Sequence, residues 1–399
     1  MNNVVIIDAV RTPIGRYKGA LKNVRPDDLG AIVIKALIER NPLLPTSEIE
    51  EVVLGNANQA GEDNRNVARM ATLLAGLPVE TAATTINRLC GSGLDAVNYA
   101  ARAIAMGEGE IYIAGGTESM TRAPLVTAKP NAEFPRGNME LFDTTIGWRF
   151  INPKLQEMYG TDSMPETAEN VAKRFSITRE EQDQFAFQSQ MKAKKAMELG
   201  LFCEEIIPVS VVDRKGNVTI VDTDEHPRAN TTLEGLAKLK PIFPEGTVTA
   251  GNASGINDGA SALLLMSEKK AMQLGLTPLV KYKASAVAGL EPAVMGLGPI
   301  YATKKLLKRI GMTTKDIGLV EINEAFASQS LECIKQLELD PNIVNVNGGA
   351  IAFGHPLGAS GARILTTLIY EMKRKRTEVG LATMCIGVGQ GIATIIENI

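Results

Sequence analysis

Apolar and polar positions along this chain fall into a series of short blocks that occurs twice. The first run, VVIIDAV at residues 4–10, is apolar except for one Asp and reads as a strand buried on both faces. DDLGAIVIKALIER follows, with Leu29, Ile32, Val33 and Leu37 at helical spacing. EEVVLGNANQ then predicts a strand ending at Asn56. In TINRLCGSGLDAV a β-type stretch breaks into small residues around Cys90 and resumes as a helix whose stripe is Val97, Ala101, Ile104 and Ala105, followed by the strand IYIAGG. The same order returns near the C-terminus. Helical YATKKLLKRIG leads to IGLVEINEAF, a strand ending at Asn323, and then to NVNGGAIAFGHPLGASGARIL, which holds His355. A helix striped by Ile364, Leu368, Ile369 and Met372 and a strand, LATMCIGVGQG with Cys385, complete the second copy. Asn56 to Asn323 and Gly91 to Gly358 are both steps of 267 residues. Two landmarks with one offset read as a duplication, and the alternation predicts an α/β fold with helices packed on mixed sheets.

Between the halves the texture changes. Residues 1–122, completed by about 248–276, form one half, 277–399 the other, and 123–247 an inserted subdomain. Its first part, through TTIGWRFINPKL, is rich in Pro and Gly without a period and reads as ordered loop. Pro165 fits the first helical residue of PETAENVAKRF. Thr178 and Glu181 fit a capping box for a helix running to Gly200, and IIPVSVV with VTIVD around DRKGN fits a hairpin. The insert reads as a substrate-binding lid over a site shared by the two halves.

Composition narrows the partners. A net charge of −3 and a pI near 5.7 supply no basic field, and the KRKR run at 373–376 is a solvated helix end, which argues against nucleic acid. Cys90, Cys203, Cys333 and Cys385 show no C-x-x-C spacing, and two histidines are too few for an ordinary His-based metal site. Free thiols in a reducing cytoplasm are expected, with no membrane association, because no apolar run approaches spanning length. Cys90 and His355 stand where the chain turns into helical N-termini. Unpaired N–H groups and the positive end of the macrodipole there should lower the thiol pKa and supply donors to an oxyanion. Cys203 and Cys333 read as packing residues, and His226 in DEHPR as a polar-loop residue without catalytic role. Taken alone, Asn323 also fits a helix cap after a strand.

NRLCGSG, NEAF, GGAIAFGHPLGASGAR and CIGVGQG resemble the four signature blocks of the thiolase family, and the likeness extends through VRTPIG and TVTAGNASGINDGA. The resemblance implies a five-layered αβαβα core of duplicated halves with an inserted loop domain, assembled as a homodimer or homotetramer. It implies Cys90 as the nucleophile that takes the acyl group, His355 as its base and Cys385 as the proton shuttle at the α-carbon. Asn323 would hold a water that completes one oxyanion hole with His355, and the N–H groups of Cys90 and Gly387 would make the other. Met164, Arg228, Ser254, Met295, Ala325 and Phe326 would line the coenzyme A channel. Coenzyme A is then a substrate, and no metal or resident cofactor is expected. Three positions depart from the common pattern: Ser163 where many biosynthetic members have His, Gly235 where they have Ser, and Val388 in place of a glycine. TTIGWRFINPKL and GTDSMPETAENVA look most like the 3-oxoadipyl-CoA thiolase branch; general 3-ketoacyl-CoA and acetoacetyl-CoA thiolases share the rest. A distal substrate carboxylate would need a cation, for which Arg149 and Lys154 are the candidates. A ketoacyl-synthase-type condensing enzyme would show Cys with two His, or with His and Asn, which NEAF and the second Cys argue against. A noncatalytic lipid carrier would be free to lose Cys90, His355 or Cys385, and all three are kept.

Overall fold

The computed structural model describes residues 2–213 and 215–399. Its principal strands run in the order Ala82–Ile86, Glu51–Gly55, Ile111–Ser119, Asn257–Ser267, Val4–Arg11, Val280–Gly289, Gln390–Glu397, Val379–Ile386 and Leu319–Ile322. The order is a palindrome of the duplicated blocks. Glu51–Gly55 pairs parallel with Ile111–Ser119, as Leu319–Ile322 does with Val379–Ile386, and each is followed by an antiparallel neighbour. Within the sheet, the strands of the two halves pair where Val4–Ile6 meets Val280–Tyr282.

Alternation along these strands sends side chains into three separate cores, and the cores define the layers. Val5, Val52, Leu54 and Ile113 pack under the helices Pro26–Arg40 and Val67–Leu74. Val53, Ala114 and Leu265 of the first half and Met384, Ile392 and Ile396 of the second enclose the helices Ser92–Met106 and Leu357–Lys375. Val320, Leu381 and Ile395 face the helix Gly298–Ile310 on the far side. Helix, sheet, helix pair, sheet, helix is the expected five-layer arrangement. The Cys90 helix, Ser92–Met106, and the His355 helix, Leu357–Lys375, thus lie side by side in the middle layer, buried on both sides. Glycines let them touch: a Cβ on Gly93 would stand 2.5 Å from the Gly358 carbonyl oxygen, and one on Gly361 would stand 2.4 Å from the Leu94 nitrogen.

In the intervening segment, Thr178 and Glu181 form the expected capping box for Arg179–Glu198, and Val209–Val212 pairs with Val218–Val221. Arg214, in the turn of that hairpin, lies outside the described residues. Three expectations are corrected. Pro153–Tyr159, at the end of the stretch read as loop, is a helix capped by the Asn152 side chain. The next helix starts at Met164, one residue before Pro165, because Ser163 with Glu166 makes the capping box. Cys333 is buried as expected of a packing residue, but Cys203 is exposed, since the helix before it ends at Glu198 and leaves it in a surface turn. Among the described residues, no helix is long and apolar enough to cross a membrane.

Candidate active site

Cys90 sits on a tight, tied turn. Leu89 holds a positive φ of 47°, an arrangement that costs a non-glycine residue energy and is kept where surrounding bonds over-determine it. Those bonds are local: the Ser92 hydroxyl accepts from the Arg88 N–H at 2.9 Å and donates to the Leu89 carbonyl at 2.6 Å. The Asn87 side chain accepts from the Leu89 N–H at 2.9 Å. The turn delivers the Cys90 sulfur toward the loop after Val379–Ile386, where the N–H of Gly387 points at it.

The thiol does not have the lowered pKa expected from its helix terminus. Burial pushes it up to about 11, the Glu118 carboxylate pushes the same way, and the N–H groups of Gly387 and Cys90 only partly oppose them. Cys90 keeps some surface as a residue, yet its sulfur is packed between the two halves, and that dry position outweighs the macrodipole. The Cys385 thiol, buried beside it, is held further above its usual range by burial and by repulsion from Cys90.

His355 is 5% exposed, and burial together with the Arg363 charge pushes its pKa down to about 3, so the imidazole is neutral. Its tautomer follows from two contacts. Nδ1 lies 2.6 Å from the Ser360 hydroxyl, whose own proton goes to the Pro356 carbonyl at 2.9 Å, so Nδ1 donates. Nε2 is left as the acceptor, 3.5 Å from the Asn323 side-chain nitrogen. An imidazole held this way is fit to take a proton on Nε2. The His355 N–H is itself held by the Asn257 side-chain oxygen at 3.0 Å.

The residues expected along the coenzyme A channel divide. Met164, Met295, Ala325 and Phe326 share one apolar cluster with Cys385, and Ser254 joins its wall through an N–H bond to the Ala325 carbonyl at 2.9 Å. Arg228 stands apart and exposed, its N–H held by the Gln190 side chain at 2.8 Å. Trp148, Met164 and Val388 line a small cavity on the other flank. Arg149, next to Trp148, is half-buried, whereas Lys154 is exposed on the helix that Asn152 caps. A more open groove, lined by Glu169, Lys173 and Phe243, contains none of the cysteines and neither histidine. No group of three or more His, Cys, Asp or Glu is disposed to hold a metal among the described residues.

Three residues at this site escaped the sequence reading: Ser360, Asn257 and Glu118. Glu118, 1% exposed, accepts from the N–H groups of Ala57 at 2.9 Å, Asn58 at 3.1 Å and Gly358 at 2.8 Å, and so ties the loop after Glu51–Gly55 to the start of the His355 helix. The signal for it was present, because Glu118 and Cys385 are separated by the same 267-residue step that relates Asn56 to Asn323.

Comparison with known proteins shows the family. Residues 4–269 match the thiolase N-terminal domain and residues 276–398 the thiolase C-terminal domain. A beta-ketoadipyl-CoA thiolase of Acinetobacter baylyi is 57% identical over 402 residues, covering 100% of both chains. The 3-oxoadipyl-CoA/3-oxo-5,6-dehydrosuberyl-CoA thiolase of Escherichia coli is 56% identical, again over 100% of both. Among solved structures, the Bacillus anthracis acetyl-CoA acetyltransferase superposes with a TM-score of 0.93 at 42% identity, covering 100% of this chain and 99% of that one. With both domains matched in order and relatives aligned from end to end, the chain belongs to the thiolase family.

Proposed function

We propose that the chain cleaves 3-oxoadipyl-CoA with coenzyme A, using Cys90, His355, Asn323, Cys385 and Gly387. The observation that carries this reading is the meeting of two strand ends and two helix starts, one from each half, around the Cys90 sulfur. As Cys90 attacks the C3 carbonyl of the substrate, its proton passes to His355 Nε2, and the new oxyanion is met by the N–H groups of Cys90 and Gly387. The C2–C3 bond then breaks. Its electron pair forms the acetyl-CoA enolate, whose oxygen is met on the His355 and Asn323 side and whose α-carbon takes a proton from Cys385, while the N–H groups of Cys90 and Gly387 keep the oxygen of the new thioester. The succinyl group left on Cys90 is transferred to the thiol of a second coenzyme A, and the reverse sequence is a Claisen condensation. Met164, Met295, Ala325, Phe326 and Ser254 would hold the pantetheine arm, and Arg228 a phosphate.

The names of the relatives support the dicarboxylic substrate, and the half-buried Arg149, next in sequence to Trp148, is the candidate cation for its distal carboxylate. Measuring kcat/KM on acetoacetyl-CoA, 3-oxohexanoyl-CoA and 3-oxoadipyl-CoA tests the assignment. The last should be preferred, and Arg149→Ala should lower it about tenfold to a hundredfold while sparing acetoacetyl-CoA; equal rates on all three would return the enzyme to the general thiolase class. A cytoplasmic setting and a homodimer or homotetramer complete the proposal. The open edge strand Ala82–Ile86 and the exposed Phe134, Met139 and Leu141 of the long loop favour association with further copies.

A further inference from the structure

Three consecutive residues of the inserted segment, Asp224, Glu225 and His226, each grip a different part of the first half. Asp224 takes Arg11 at 2.7 Å and the Ile14 N–H at 2.8 Å, and Glu225 takes the N–H groups of Arg16 and Ala20, both at 2.9 Å. His226 reaches further inward. Its Nδ1 lies 3.3 Å from the side-chain nitrogen of Asn257, which also donates to the Gly15 carbonyl at 2.9 Å. With both amide protons used, the Asn257 oxygen faces the His355 N–H at 3.0 Å.

We propose that His226 is a positioning residue for His355, acting through the Asn257 amide. The amide is 0% exposed and is satisfied in one orientation only: flipping it would set its oxygen against the Gly15 carbonyl and its NH2 against the His355 N–H. The contact space is closed on both sides. A Cβ on Gly255 would stand 2.3 Å from His226 Cε1, and one on Gly354 would stand 2.2 Å from Asn257 Cγ. His226 can accept from Asn257 only as neutral imidazole, and burial, aided by the Arg228 and Arg16 charges against that of Glu225, holds its pKa down to about 4. The segment that carries Arg228 is therefore bonded, through one amide, to the backbone of the proposed base. This inference rests on His355 being that base.

The test compares His226→Ala and His226→Asn in the full-length enzyme by kcat and by the single-turnover rate of Cys90 acylation from acetyl-CoA. Asn places an oxygen where Nδ1 stood, so it can still accept from Asn257. His226→Ala should slow both rates about tenfold, since small displacements of catalytic groups are costly, and His226→Asn should recover most of the loss. Glu225→Gln, which weakens the neighbouring grip without touching Asn257, should lower the melting temperature and leave both rates unchanged. Wild-type rates in His226→Ala, equal impairment in the Ala and Asn variants, or equal slowing in Glu225→Gln would overturn the proposal. His355→Ala separates the two readings: if it acylates and turns over normally, the base assignment fails, whereas a dead His355→Ala beside a normal His226→Ala removes only the positioning role.

Discussion

Burial pushes the Cys90 thiol up to about 11 and the His355 imidazole down to about 3, so proton transfer between them is uphill until the substrate carbonyl is attacked. The proton must move in step with attack on the carbonyl, when the developing oxyanion meets its donors and the sulfur is becoming neutral again. Reagents that need a preformed thiolate should therefore find little of it. Alkylation of Cys90 in the free enzyme should rise about tenfold per pH unit from pH 7 and level off only near 11, as the deprotonated fraction grows with pH; a plateau between pH 6 and 8 would show a stabilised thiolate and contradict the burial argument. The nucleophile itself was legible, since a Cys followed by GSG at a strand-to-helix break says where it stands. Its pKa was not, because the core that buries it includes Met384, Ile386 and Ile392, almost 300 residues away. Val388 shows the same limit. At φ 63° a β-branched side chain is strained, and that backbone angle cannot be seen in the letters CIGVGQG alone. Val388→Gly should stabilise the fold by about 1 kcal/mol, the strain released being partly offset by the entropy of glycine, and a melting curve of the variant checks it.

Elements at the site are held from across the duplication, and Glu118 does this most directly. The strand that carries it ends beside the start of the His355 helix, and the carboxylate replaces the partners that three N–H groups would otherwise lack. Glu118→Ala should cost at least about 2 kcal/mol in denaturant unfolding, because unmade buried hydrogen bonds cost more than made ones contribute; an unchanged midpoint would mean that water reaches these groups. Local signals served well where a cap decides the element, as at Thr178 and Glu181. The helix at Pro153–Tyr159 was hidden although Asn152-Pro153 is a usable start signal, since its seven residues bury no apolar face and leave no period to read.

At the scale of the whole molecule the repeat of 267 residues made the duplicated sheet order and the meeting of the two turns legible. How the inserted segment is fastened was not, because the fastening is a buried ion cluster between residues far apart in sequence. Arg11 is 2% exposed and bonds Glu205 at 2.6 Å and both oxygens of Asp224 at 2.7 and 2.9 Å. Burial works against its charge, but the two carboxylates more than offset this and hold its pKa above the usual range. Asp224→Ala should destabilise the protein by about 3–5 kcal/mol, the cost of leaving a buried charge half-paired, whereas a loss below about 1 kcal/mol would mark the cluster as solvated. The central claim is the division of labour between a cysteine from each half. The most direct measurement follows Cys385→Ser with acetyl-CoA in deuterated water, reading acylation by peptide mass and α-hydrogen exchange by NMR. The account predicts an acetyl group on Cys90 with exchange slowed at least about a hundredfold; normal exchange in this variant, or an acetyl group found elsewhere than Cys90, would contradict it.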